Sequence, residues 1–337
     1  MKQRRVPWKV WLGLGVSLLC LMLVFHNVQL NELGYHLQQV SLPHLFVGLL
    51  LLVAYLIIVA RRWQLLLTSV LRPSLIDSFS YTLIGRLVNN LLPLRTGEVA
   101  KAFLLGQKLR VSKSAVFATI VVDRLMDMLS LLIFVIVLLL AIDIPTVSKK
   151  SAALFGTVTL AVLLALWLLS RKKGGVERLI RSLPTFPKRL QEMALRLSAS
   201  FISGLQTLQA FKLLSVVVFY SILAWILVAL SARFFLEAVD LHLNWYVPLL
   251  LVVITNLGGA VPVSPGSMGV FHVLVVYSLS LWSVEKEPAL TMAIVYHESN
   301  YFLVTMLGLL CLWREGYSLT QVQQLQNSKA VQEAGHP

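Results

Sequence analysis

Two apolar runs of this chain are interrupted where a helix in lipid could not tolerate a break, and the two interruptions match. The first reads Asn89-Asn90-Leu91-Leu92-Pro93-Leu94-Arg95-Thr96-Gly97-Glu98, and the second Asn256-Leu257-Gly258-Gly259-Ala260-Val261-Pro262-Val263-Ser264-Pro265-Gly266. In each, asparagine precedes Pro-x-x-x-Gly. An apolar segment of helix length follows each break and carries a polar pair, Asp123-Arg124 in the first and His297-Glu298 in the second. These begin 26 residues after Gly97 (97 to 123) and 31 after Gly266 (266 to 297). Backbone groups freed by such breaks must be covered by protein or water at membrane depth. Paired interruptions in corresponding halves of a chain point to a substrate site between repeats.

Composition puts the rest of the chain in lipid. Of its 337 residues, 58% are hydrophobic and 13% charged, too apolar for one soluble core. The net charge of +14 does not signal nucleic acid, because the basic residues cluster in short loops between apolar spans. Cys20 and Cys311 both fall in apolar runs, with neither a disulfide framework nor a metal-ligand spacing. Lys2, Arg4 and Arg5 precede an apolar stretch that resembles a signal peptide. That stretch, 8–28, is long and lacks a small-x-small cleavage site, so it reads as an uncleaved first span.

The fold expected is all-α, a polytopic membrane protein. About six full transmembrane helices fall at 8–28, 44–60, 114–142, 152–170, 213–236 and 289–313, and two broken or re-entrant hairpins at 77–107 and 246–283. With the N-terminus cytoplasmic, Arg61, Arg62, Arg72, Lys108, Arg110, Lys113 and the basic run 171–212 fall inside, as does the C-terminus. Lys149, Lys150 and Lys286 fall outside. This satisfies the positive-inside rule, with one minor exception, if each broken segment enters and leaves on one side. The first unit, 77–142, and the second, 246–313, then run in opposite directions, as inverted repeats do. The whole of 1–314 reads as one transmembrane domain in the cell (inner) membrane, with 315–337 a cytoplasmic tail. Leucines spaced by helical turns, with arginines between them, make 171–212 amphipathic. It suits either the anionic membrane surface or packing on the bundle.

Ionisable residues inside a membrane are costly and tend to face a cavity or a partner. In the first unit the candidates for substrate binding are Arg86, Asn89, Asn90, Arg95, Gly97, Glu98, Lys101, Asp123 and Arg124. A helix starting at Gly97 would offer its N-terminal amides to an anion, and arginine recognises phosphate with two parallel hydrogen bonds. The competing readings are a salt-bridged bundle for Arg95, Glu98 and Lys101, and a packing ion pair for Asp123 and Arg124. In the second unit the candidates are Asn256, Pro262, Gly266, Gly269, His297 and Glu298. The glycines suit either a close approach to ligand or close helix packing. His297 beside Glu298 suits proton transfer or a structural pair, and His272 reads as a candidate or as a satisfied buried histidine. No nucleophile elbow, phosphate loop, metal motif or cofactor motif occurs, and enzyme activity is not expected.

At these residues the chain resembles the flippase-like family, that is, the membrane region of lysylphosphatidylglycerol synthases and their stand-alone relatives. The motifs that carry the resemblance are Gly85-Arg86-Leu87-Val88-Asn89-Asn90-Leu91-Leu92-Pro93-Leu94-Arg95-Thr96-Gly97-Glu98 and Pro262-Val263-Ser264-Pro265-Gly266-Ser267-Met268-Gly269-Val270-Phe271, and it covers roughly 8–314. Ser264 and Ser267 stand where the second motif commonly has glycine. The resemblance implies translocation between leaflets of an anionic, aminoacylated, or polyprenyl- or hopanoid-linked lipid. Its partners would be membrane phospholipids or lipid-linked substrates. In the synthases a soluble aminoacyltransferase domain follows the membrane part. Here 24 residues follow Trp313, so lysyl transfer is not expected. A lipid-modifying transferase, an accessory partner of a lipid synthase docked through 171–212, and a small-solute transporter on the same plan are the rival expectations.

Overall fold

In a computed structural model of the chain, every regular element among the described residues is helical. The described residues are 8–92, 96–141, 188–205, 209–259, 265–319 and 321, with isolated positions between 154 and 168. The helices are α1 (Trp8–Phe25), α2 (Leu30–Gln38), α3 (Leu42–Leu67), α4 (Leu75–Leu91), α5 (Gly97–Lys108), α6 (Lys113–Ala141), α7 (Lys188–Gly204), α8 (Phe211–Ala238), α9 (Tyr246–Gly259), α10 (Val270–Ser280) and α11 (Lys286–Arg314).

By length and composition α3, α6 and α8 can each cross a bilayer, with mean hydropathies of 2.6, 2.4 and 2.6. Large apolar side chains stay exposed along them and along α1: Met22 is 58% exposed, Leu140 84% and Phe219 61%. Water would penalise such a surface, whereas lipid does not. The remaining three expected spans differ from that simple picture. The first ends at Phe25, and the chain turns by 89° into α2, the two together making a fourth possible span. The second, 152–170, is described only at scattered positions. The third, α11, is one unbroken helix of 29 residues, but His297, Glu298, Ser299 and Asn300 at its centre dilute its apolar character. The molecule is thus an all-helical, multi-pass membrane protein.

The chain forms two compact units. One comprises Met1–Tyr55, Leu83–Gly97 and Ile226–Pro337, and the other Leu56–Thr82 and Glu98–Trp225. In the first unit α10 packs on α1, α9 and α11, and α2 packs on α11. Polar links fix these contacts: Ser17 Oγ on α1 donates to the Met268 carbonyl at 2.9 Å, and Ser231 Oγ on α8 donates to the Gly48 carbonyl on α3 at 2.9 Å. In lipid, where apolar helices gain little by touching one another, such side-chain-to-backbone bonds help decide which helices pair.

In the second unit α6 and α7 pack together, and Ser114 Oγ reaches the Leu197 carbonyl at 3.0 Å. For the described part of the amphipathic stretch, packing on the bundle is therefore what is observed. Its portions 171–187 and 206–208 lie outside the described residues. Pro73 and Ser74 start α4, the Ser74 hydroxyl accepting the Asp77 N–H at 3.0 Å and donating to its carboxylate at 2.7 Å. Lys108, in the last turn of α5, closes a 2.7 Å ion pair with the same Asp77.

Candidate functional site

The first unit contains a cavity of about 230 Å³. Its polar lining is Tyr55 from α3, Arg86 and Asn90 from α4, Thr255 and Asn256 from α9, Ser267 from the second break, and His297, Asn300 and Tyr301 from α11. Leu52, Val228, Phe271 and Tyr296 supply apolar wall. Residues of both sequence motifs thus line one space, because α4, α9 and the turn before α10 bring them to it.

Arg86 is the charge of this cavity. Its neighbours along α4, namely Leu83, Ile84, Leu87 and Val88, are all buried to within 2%, so the guanidinium is held at the edge of an apolar wall. Its Nη2 donates to the Tyr55 hydroxyl at 2.6 Å, and the guanidinium carbon lies 5.0 Å from that ring's centre. Among the described residues no carboxylate oxygen lies within 4.0 Å of it. A cation held so, by a neutral phenol and a ring face, keeps donors available for an anion. Asn90 Nδ2 is oriented by Thr305 at 3.3 Å. Asn256 is tied back to the Val252 carbonyl at 2.8 Å.

The second break supplies the turn that shapes this wall. Gly266 has φ of +63° and Gly269 φ of +80°, backbone that glycine adopts without a Cβ penalty. A Cβ on Gly266 would lie 2.8 Å from the Tyr301 ring. The Gly266 carbonyl faces His297 Nε2 at 2.9 Å, and the other ring nitrogen, Nδ1, lies 3.0 Å from Glu298 Oε1.

The first break is built differently. Asn89 Oδ1 accepts the Gly97 N–H at 2.8 Å and so caps α5. A Cβ on Gly97 would come within 1.9 Å of the Gly85 carbonyl, so the close approach itself requires glycine. Asn89 and Gly97 are therefore turn-forming residues; neither lines the cavity.

In the second unit the charged candidates form an ion-pair network. Arg62, with a side chain 0% exposed, bonds Asp123 Oδ1 at 2.8 Å through Nε, and Asp127 Oδ1 at 2.7 Å and Ser221 Oγ at 3.2 Å through Nη1. Arg124 meets Glu98 at 3.2 Å, Asp127 at 3.0 Å and Asp123 at 3.5 Å. Trp225 Nε1 points to Asp127 at 3.3 Å. Lys101, 2% exposed, sets its ammonium 3.6 Å from the centre of the Trp63 ring, a cation–π contact strengthened by burial. Three carboxylates thus surround two arginines, and a low-dielectric interior tolerates charge when it is paired in this way.

Of the residues singled out in the sequence, the structure places Arg86, Asn90, Asn256, Gly266 and His297 at one cavity, while Gly269 starts α10 and Glu298 flanks His297. Glu98, Lys101, Asp123 and Arg124 belong to the second unit. Arg95 and Pro262 lie outside the described residues. The sequence places Arg62 on the cytoplasmic side beyond the expected span 44–60, whereas α3 continues past it to Leu67 and the side chain is buried against Asp123. Tyr55 and Tyr301 were missed. The available signal for Tyr55 was its place as a lone hydroxyl-bearing residue in the apolar run Leu49–Ala60.

The family model described as the lysylphosphatidylglycerol synthase TM region matches residues 10–308. A UPF0104 membrane protein of Methanocaldococcus jannaschii is 24% identical over 227 residues, covering 66% of this chain and 91% of that protein. A UPF0104 membrane protein of Methanothermobacter thermautotrophicus is 24% identical over 259 residues, covering 72% of this chain and 76% of its own. No solved structure matches.

Proposed function

The chain belongs to the family of the lysylphosphatidylglycerol synthase transmembrane region, and from that premise we propose that it translocates a lipid with an anionic headgroup between membrane leaflets. The observation that carries this reading is Arg86. It is a permanently charged group set among buried apolar residues, with a phenol beside it and, among the described residues, no carboxylate within 4.0 Å, in a cavity whose other polar lining is amides, hydroxyls and His297. Ionisable groups of that kind inside a membrane protein mark substrate pathways. A phosphate would take parallel hydrogen bonds from the guanidinium fork and further donors from Asn90, Asn256 and Asn300. The cavity, about 230 Å³, is smaller than the ~300–1,000 Å³ of pockets that enclose whole drug-sized ligands. It suits a headgroup whose acyl chains remain in lipid. The Lys/Arg asymmetry of the short loops supports a cytoplasmic, inner-membrane orientation with both termini inside.

The test is leaflet exchange in vesicles reconstituted with the purified chain and carrying labelled phosphatidylglycerol, aminoacylated phosphatidylglycerol or phosphatidylcholine. Exchange of an anionic or aminoacylated lipid should outrun that in protein-free vesicles, with lipid masses unchanged and with Arg86→Gln removing most of the gain. Equal rates with and without protein for every such lipid would overturn the reading, and a changed lipid mass would favour a transferase.

A further inference from the structure

His272 on α10 and the pair His297–Glu298 on α11 are brought together by the packing of these two helices. One ring nitrogen of each histidine and one carboxylate oxygen of Glu298 all lie within 4.8 Å of one another. With His297 neutral, the hydrogen-bond inventory of this group does not close. A backbone carbonyl only accepts, so His297 Nε2, 2.9 Å from the Gly266 oxygen, must carry the hydrogen. In the neutral ring Nδ1 is then a lone pair, and it sits 3.0 Å from Glu298 Oε1, which when ionised is also an acceptor. Two acceptors at that separation repel unless a positive centre lies with them. His272 presents a second gap: its side chain is buried, 5% exposed, and its Nδ1 has no hydrogen-bond partner among the described residues.

We propose that His272, His297 and Glu298 bind a divalent transition-metal ion of the zinc class. Two imidazoles and one carboxylate are a ligand set that zinc accepts, and three protein ligands leave a fourth position for water or an anionic oxygen. Donors ~2.0–2.1 Å from a tetrahedral ion stand roughly 3.3 Å apart, close to the 3.0 Å between His297 and Glu298. His272 needs only to close from within 4.8 Å. The bond from His297 Nε2–H to the Gly266 carbonyl is the outer contact that metal-bound histidines characteristically make, fixing tautomer and ring plane. Gly266, at φ +63°, holds that carbonyl in place. His297 also lines the cavity of Arg86, so the open position would lie beside it. Ion binding is read directly and does not depend on the lipid-translocation reading.

The experiment uses the full chain in detergent micelles, stripped with a chelator, dialysed against Zn²⁺ and assayed by elemental analysis. Co²⁺ spectra report the coordination. Wild type should retain about one ion more than His272→Ala or Glu298→Gln, with a tetrahedral cobalt spectrum. Each variant should weaken binding by at least the ~10–100-fold that loss of a mere outer-shell partner costs. His44→Ala, in a cleft with His36 and His242, should leave that ion in place. Glu298 is half-exposed, so its glutamine variant keeps the test open if His272→Ala does not fold. Equal retention by wild type and Glu298→Gln would overturn the proposal. The pair would then be bridged by a proton instead.

Discussion

Arg62 and Asp123 meet at 2.8 Å, Nε to Oδ1, with neither side chain reaching solvent. They come from α3 and α6, two of the helices long and apolar enough to span a membrane. Burying either charge alone is prohibitive, so the pair ties the two helices in one register. Asp127 and Ser221 take up further donors of the same guanidinium.

Asp123→Ala should therefore destabilise the protein by about 1.5–3 kcal/mol, the weight of a hydrogen bond to a charged group, because it leaves the buried Arg62 with Asp127 as its carboxylate partner. Replacing both partners, Arg62→Met with Asp123→Leu, should recover most of that loss. Unfolding of the purified chain in micelles, run as a double-mutant cycle, measures both. Additive losses would mean that the two residues do not act as a pair.

Arg86→Gln should lower exchange of an anionic lipid by about 10- to 100-fold, the weight of one charge-assisted hydrogen bond of ~1.5–3 kcal/mol. Stability should barely change, since among the described residues no carboxylate pairs with this arginine. Arg86→Lys should recover part of the rate, keeping the charge but losing the fork. Exchange rates beside melting temperatures separate the two effects, and unaltered exchange in Arg86→Gln would count against a role for this residue.

Gly97→Ala should cost roughly 1–3 kcal/mol, the usual penalty of overpacking, because its Cβ would fall 1.9 Å from the Gly85 carbonyl. Gly15→Ala, in α1 with nothing within 4 Å of the added carbon, should be neutral or stabilising by ~0.5–1 kcal/mol. Comparing the two melting curves tests the close approach. Equal tolerance of both would mean that the first break does not need its glycine.

Gly266→Ala should impair lipid exchange more than its ~1–2 kcal/mol of left-handed backbone strain implies. The added carbon meets the Tyr301 ring at 2.8 Å, and the Gly266 carbonyl orients His297. If exchange survives while stability falls, the turn is a structural element only.

Much of this was legible in the apolar runs and their interruptions. The breaks at 92–96 and after Gly259 are where α4 and α9 end, since proline, asparagine and glycine interrupt helices through local chemistry. Arg86, Asn90, Asn256 and His297 stood out because polar residues in apolar segments are rare. Arg62 was misjudged because its position after Ala60 looks like the end of a span. Nothing local reveals that α3 continues to Leu67 and that Asp123 waits for its charge. Tyr55 escaped notice because one tyrosine in an apolar run usually only packs.

The order of residues by itself determined that this chain is helical, lies in a membrane and breaks twice. Those properties follow from hydrophobicity and backbone chemistry over neighbouring residues. Only the tertiary structure decided which charges are neutralised and which are left for a ligand. Arg62 and Arg124 find carboxylates and Arg86 finds a phenol, because a guanidinium's partner is set by distance in space: Asp123 and Asp127 lie 61 and 65 positions from Arg62, Glu98 lies 26 from Arg124, and Tyr55 lies 31 from Arg86.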